Sequence, residues 1–191
     1  MRRQERREQL LAVAWSILNV EGADSLTLGR LAERGGITKP VVYDHFPSRP
    51  ALLGALYREF DDQQTESLQQ ALVDAGSTLR DQAGAIARAH VDCVLSHGPE
   101  VAGILGALEG SADLEQLKRD AEAAYIELCR SALNPFAATS IVPTASMVAI
   151  MGAAEALSHA AARRSLSTEE AVAGLASIIA AAVVQPGSEL L

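Results

Sequence analysis

An all-α fold is what this sequence predicts, on three observations. Alanine is abundant, and it is the best helix former. No run of alternating β-branched residues marks a strand. Apolar residues recur instead at intervals of three and four along most of the chain. With 49% apolar residues over 191 positions there is material for a real core, in one large domain or in a small head on a larger body.

The first helix carries Leu10, Ala14, Ile17 and Leu18 on one face and stops at Gly22. Thr27 is placed to cap a short second helix over 28–34, with Leu31 and Ala32 on its buried side. Gly35-Gly36 ends it, because a residue without Cβ accepts the left-handed conformation of a tight stop. Thr38 caps a third helix reaching His45, with Pro40 tolerated in its first turn. Ser48 then caps a long fourth helix. Further helices are expected over 78–97, over 100–109 after a break at Gly98-Pro99, and over 112–133 after a break at Gly110-Ser111. Residues 134–143 read as a loop. The last two helices, over 144–165 and 168–184, are tightly joined, and Ser167 and Glu170 form a capping box for the second.

The charge is unevenly placed. Residues 1–50 hold eight Lys/Arg against six Asp/Glu, while the rest hold eight against eighteen, so a weakly basic head stands on an acidic body. That suits a protein of which one end meets phosphates. Cys93 and Cys129 lack zinc-finger spacing and imply no disulfide framework. The basic start is interrupted by Glu5 and Glu8 and does not read as a secretory leader, and the long uncharged stretch 131–154 contains two prolines and does not read as a span. A cytoplasmic protein without a membrane partner is expected.

The stretch 31–42 meets the physical requirements of a helix-turn-helix. Ala32 is the small residue where two helices cross, Gly36 the turn glycine, and Val42 the apolar residue that locks the second helix onto the first, with Leu31 and Ile37 filling in. The third helix then presents Lys39, Val41, Tyr43 and Asp44 away from that core, short enough for a major groove. Thr27, Thr38 and Ser48 begin helices, where free N–H groups favour a phosphate, and Tyr43, His45 and Arg49 add donors. Arg2, Arg3, Arg6 and Arg7 read either as phosphate contacts or as a solvated helix start.

At this point residues 6–56 resemble the N-terminal head of TetR-type transcription regulators. The resemblance rests on the approach Gly22 to Leu26-Thr27, on Leu31-Ala32 and Gly36-Ile37-Thr38, and on Val42-Tyr43-Asp44-His45-Phe46 followed by Ser48-Arg49. It implies that Thr27 and Thr38 hold phosphates, that Lys39 and Pro40 face bases, that Tyr43 and His45 meet the backbone, and that Arg49 meets a phosphate at the start of the fourth helix. Two departures stand: Gly29, where some members carry a longer side chain, and Pro50 in place of a charged residue. The domains expected are a DNA-binding head over 1–48 and a helical ligand-binding and dimerisation body over 49–191.

In the body, the last helix is apolar all round after two glutamates, so two faces need covering. The small residues Gly152, Ala153, Ala156 and Ala160 on the preceding helix, with Ile178 on the last, make these two helices the expected homodimer interface. On the helix over 78–97 the apolar stripe continues as His90, Cys93 and His97. With Tyr125, Met147 and Met151 these residues are expected to line a ligand pocket; the alternatives for His90, Cys93 and His97 are ordinary core and, less favoured, a metal site. No cofactor, no resident metal and no catalytic constellation is expected. The function implied is a repressor that binds a palindromic double-stranded operator as a homodimer and is released by a small, largely apolar effector. The alternatives are a constitutive DNA-binding protein without ligand, and a helical enzyme or metal-binding protein.

Overall fold

The computed structural model describes residues 2–108, 111–138 and 140–184, and those residues form helices and no strand. In chain order they are α1 (Arg3–Glu21), α2 (Leu28–Gly35), α3 (Lys39–His45), α4 (Arg49–Asp74), α5 (Leu79–Leu108), α6 (Ala112–Leu133), α7 (Thr144–Ala162) and α8 (Thr168–Val184). Short 3-10 turns cover Ala23–Ser25 and Asn134–Phe136. The chain divides into two compact units, Met1–Asp62 with His97–Asp120, and Gln63–Ser96 with Ala121–Leu191.

In the first unit the helix ends form where local chemistry puts them. α1 stops at Gly22, whose φ of 80° closes to side chains the conformation that turns the chain. The Thr27 hydroxyl accepts from the Arg30 N–H at 3.0 Å and starts α2, and Gly36 at φ 61° ends it in the left-handed region. α1, α2 and α3 then close on a dry core of Leu10, Ala14, Ile17, Leu31, Val42 and Phe46. Polar ties reinforce it: Trp15 Nε1 donates to Glu59 at 2.7 Å, and Glu21 on α1 pairs with Arg30 at 2.9 Å and Arg34 at 3.0 Å on α2.

The same unit takes in residues far away in sequence. A Cβ on Gly54 of α4 would stand 2.8 Å from Leu114 of α6, and one on Gly103 of α5 would stand 3.1 Å from Ala23. At Gly54 α4 and α6 approach closely, and a larger residue there would push the Leu114 side chain aside. His97 packs edge-on against Phe60, ring centroids 6.0 Å apart.

The break expected at Gly98-Pro99 is absent, and α5 runs continuously from Leu79 to Leu108, absorbing the separate helix expected over 100–109. A proline inside a helix withholds one N–H and costs about 3 kcal/mol. Here the helix is anchored on both sides, by Val91 buried in the second unit and Ile104 buried in the first, so tertiary packing overrides the local signal. The break expected at Gly110 lies outside the described residues.

The second unit is built round an apolar core that includes Leu68, Ile86, Tyr125, Met147, Ile150 and Leu175. Asn134 Oδ1 accepts from the Val142 N–H at 2.9 Å and closes the loop before α7. α7 and α8 pack as a hairpin, and α8 opens with the expected capping box: Ser167 N–H donates to Glu170 at 2.8 Å, and Glu170 N–H to Ser167 Oγ at 3.2 Å.

Candidate nucleic-acid interface

The core of the first unit decides what α3 shows to the outside. Val42 is fully buried against α2, which turns Lys39, Pro40, Tyr43 and Asp44 outward, while Val41 is half-buried. Thr27 and Thr38 are both exposed at helix starts. The Thr27 hydroxyl oxygen accepts the Arg30 N–H, which leaves its own O–H to donate, whereas the Thr38 hydroxyl makes no capping hydrogen bond. Gly29 leaves room beside Lys39, since a Cβ there would reach its Cε at 3.9 Å.

Basic groups gather at the far end of α3. Arg3 Nη2 donates to the Asp44 carbonyl at 3.2 Å, and the Arg7 guanidinium carbon lies 4.8 Å over the Phe46 ring. Arg3, Gln4, Arg7 and His45 line a surface cleft of about 410 Å³. Of the four arginines that read as either phosphate contacts or a solvated start, Arg3 and Arg7 are thus tied to the end of α3, while Arg2 pairs with Glu5 and Arg6 with Gln9 on α1. Sequence spacing gave no sign of this, because the contact spans some forty residues. Burial foremost, then the Arg3 and Arg7 charges, hold the His45 imidazole below the usual histidine range, with Asp44 opposing.

Arg49 is held differently from a free surface cation. Its Nε donates to the Leu26 carbonyl and its Nη2 to the Ala23 carbonyl, both at 2.8 Å. The guanidinium therefore pins the segment that leads into α2, with only its remaining donors left for a phosphate. Glu21 has a like role inside the head. The hydrogen bond from Arg30 lowers its carboxyl below the usual range against an opposing desolvation, and the charges of Arg30 and Arg34 add to the lowering.

Of the body residues singled out in the sequence, His90 and Tyr125 meet, ring centroids 6.0 Å apart. Met147 is buried and Met151 half-buried in the same core. Cys93 is half-buried in that unit, while His97 lies in the first unit on Phe60. Among the described residues no group of three or more His, Cys, Asp or Glu is placed to hold a metal ion. Ser158, fully buried on α7, was missed; its signal was a lone hydroxyl on the stripe of Met147, Ile150, Ala154 and Ala161.

The two-helix hairpin leaves an apolar face uncovered. On α7, Ala145, Val148, Ala149, Gly152 and Ala156 are exposed along one stripe, with Val148 at 65%. On α8, Ala173, Ile178 and Ala181 are exposed, with Ile178 at 39%. Ala153 and Ala160 are half-buried, the former against the unit's own core. Helix α7 is also long and apolar enough, by length and composition, to cross a membrane.

The buried crossing of α2 and α3 and the outward face of α3 define a helix-turn-helix DNA-binding head. Residues 10–56 match the family model of bacterial regulatory proteins, tetR family, and this head belongs to that family. The transcriptional activator FasR of Mycolicibacterium smegmatis is 36% identical over 70 residues, which are 37% of this chain and 32% of that protein. The class C tetracycline repressor of Escherichia coli is 46% identical over 50 residues, 26% of this chain and 23% of that one. The matches span between 22% and 44% of the length of these and three further curated relatives. A Rhodococcus sp. structure described as a TetR-family transcriptional regulator shares the whole fold: TM-score 0.75 at 20% identity, over 94% of this chain and 99% of that one.

Proposed function

We propose that this protein is a ligand-responsive transcriptional repressor that acts in the cytoplasm as a homodimer on a palindromic operator. The observation that carries the reading is the surface of α3, where burial of Val42 turns Lys39, Pro40 and Tyr43 outward on a seven-residue helix. That helix enters the major groove, Lys39 and Pro40 against bases, with Thr27, Thr38, Tyr43 and His45 on the flanking backbone. The uncovered α7–α8 stripe supports the dimer, since small and apolar side chains let two hairpins approach closely and bury what is now exposed. An effector in the second unit weakens operator binding by preferring one spacing of the two heads over the other.

Selection from random duplexes tests this. The expected product is a palindrome bound more weakly as salt rises. Lys39→Ala keeps the fold and weakens operator binding. It relaxes preference at one operator position if the ammonium meets a base, or lowers the salt slope by about one if it meets a phosphate. Enrichment of no symmetric sequence overturns the operator reading, and unchanged binding by Lys39→Ala removes that residue from the interface. A reporter gene behind the selected operator, with and without the protein, gives the sign of regulation.

A further inference from the structure

Among the described residues of the second unit, four polar atoms are buried and have no hydrogen-bond partner: His90 Nδ1, Tyr125 Oη, Ser158 Oγ and Arg130 Nε, of which only the last has an ion-pair partner, Glu127. Tyr125 is 6% exposed and Ser158 0%. They come from α5, α6 and α7, three helices that share one core. The His90 and Tyr125 rings lie 6.0 Å apart by their centroids, tilted by 54°. His90 also feels the charges of Glu155 and His159, which flank Ser158 on α7. Gln64 and Cys129 are polar neighbours of Tyr125, yet its hydroxyl lacks a well-formed hydrogen bond. A desolvated polar group recovers what it lost in water only from a partner, and each of these groups calls for one.

The surroundings limit what that partner is. Burial pushes the Cys93 thiol up to about 11 and the Cys129 thiol up to about 12, and it holds Tyr125 protonated. Burial also favours the neutral form of His90. Glu155 lies on the exposed side of α7, and the half-buried Arg130 is paired with Glu127 at 3.4 Å. An ionic group brought in here would lose its hydration among side chains that burial itself keeps neutral. Met147 and Met151, unbranched and flexible, let the same core repack round an apolar body.

We propose that His90, Tyr125 and Ser158 form the polar end of the effector site and bind the oxygen of an uncharged, mostly apolar molecule such as a ketone or alcohol. This rests on the ligand-responsive reading above and names its ligand class. Each of the three groups offers a neutral donor or acceptor with which a carbonyl or hydroxyl oxygen can pair.

The test is thermal melting of the full chain with methyl ketones and primary alcohols of about six to twelve carbons, against carboxylates of the same lengths. Ketones and alcohols raise the melting temperature with concentration, and carboxylates bind at least about tenfold more weakly. Without additive, Tyr125→Phe melts at or above the parent chain, because the change removes an orphaned hydroxyl, while its affinity for the ketone falls by about tenfold. Ser158→Ala does the same and serves as the second variant. The proposal is overturned if carboxylates stabilise equally, if no member of the series stabilises, or if Tyr125→Phe lowers the bare melting temperature with ketone binding unchanged. Operator affinity is measured separately. A chain that binds ketones with unaltered operator affinity keeps this site and loses the regulatory reading; one that binds operator but no ketone keeps the head and loses this site.

Discussion

His45 is half-buried at the end of α3, and its imidazole is kept neutral by burial and by the cations of Arg3 and Arg7. An arriving phosphate reverses that balance and favours the protonated ring. The DNA-bound state then holds more protons than the free one, so operator affinity rises as pH falls between the bound and the free pKa. His45→Gln flattens the profile across the histidine range and leaves affinity at the alkaline end unchanged. Fluorescence anisotropy against the operator measures it, and a wild-type profile that is already flat removes His45 from the contact. In the free chain the sign is opposite. The unfolded state binds the proton more readily, so this residue costs stability as pH drops below the ordinary histidine range. Position 45 was legible in the sequence as a candidate; the arginines that set its charge state were not, because α1 reaches it only in the folded head.

The helix-turn-helix was legible because its requirements are local. A small crossing residue, a left-handed glycine and an apolar lock recur at set spacing, and Ala32, Gly36 and Val42 occupy those places in the structure. The caps at Thr27 and Ser167 were legible for the same reason. Local reasoning failed at Gly98-Pro99, where distant packing carries α5 through a residue that ordinarily ends a helix. Nor did it show what else Arg49 does, the residue that the resemblance marks as a phosphate contact. Its two hydrogen bonds hold the turn before α2 against the start of α4, so Arg49→Ala leaves two part-buried carbonyls short of partners. The expected loss is about 1–3 kcal/mol of stability, read as a lower melting temperature, together with weaker operator binding because α2 is less well placed. Arg49→Lys recovers little, since an ammonium lacks the planar fork that reaches both carbonyls. Unchanged melting in Arg49→Ala contradicts this role.

For the whole molecule, the α7–α8 hairpin carries the prediction. Ala156 is exposed on the apolar stripe of α7, and a Cβ on Gly152 would meet nothing within 4 Å. Ala156→Arg therefore fits the single chain and keeps its helicity, but sets a desolvated charge between two copies. Sedimentation shows monomers, and binding to a full palindrome falls to that of a half-site; a dimer that survives puts the interface elsewhere. By itself the sequence determined that the fold is all-α, that its head is a helix-turn-helix of the tetR kind, and that two late helices are too apolar to stand alone. Those are matters of period, capping and composition, which act over a few residues and can be read in order. Only the tertiary structure decided that residues 97–120 join the head unit, that His97 packs on Phe60 while His90 lies beside Tyr125, and that Ser158 is buried without a partner. Such contacts are set by which helix faces pack against one another, and a helix long enough to leave one unit and enter the next carries no local mark of where it does so.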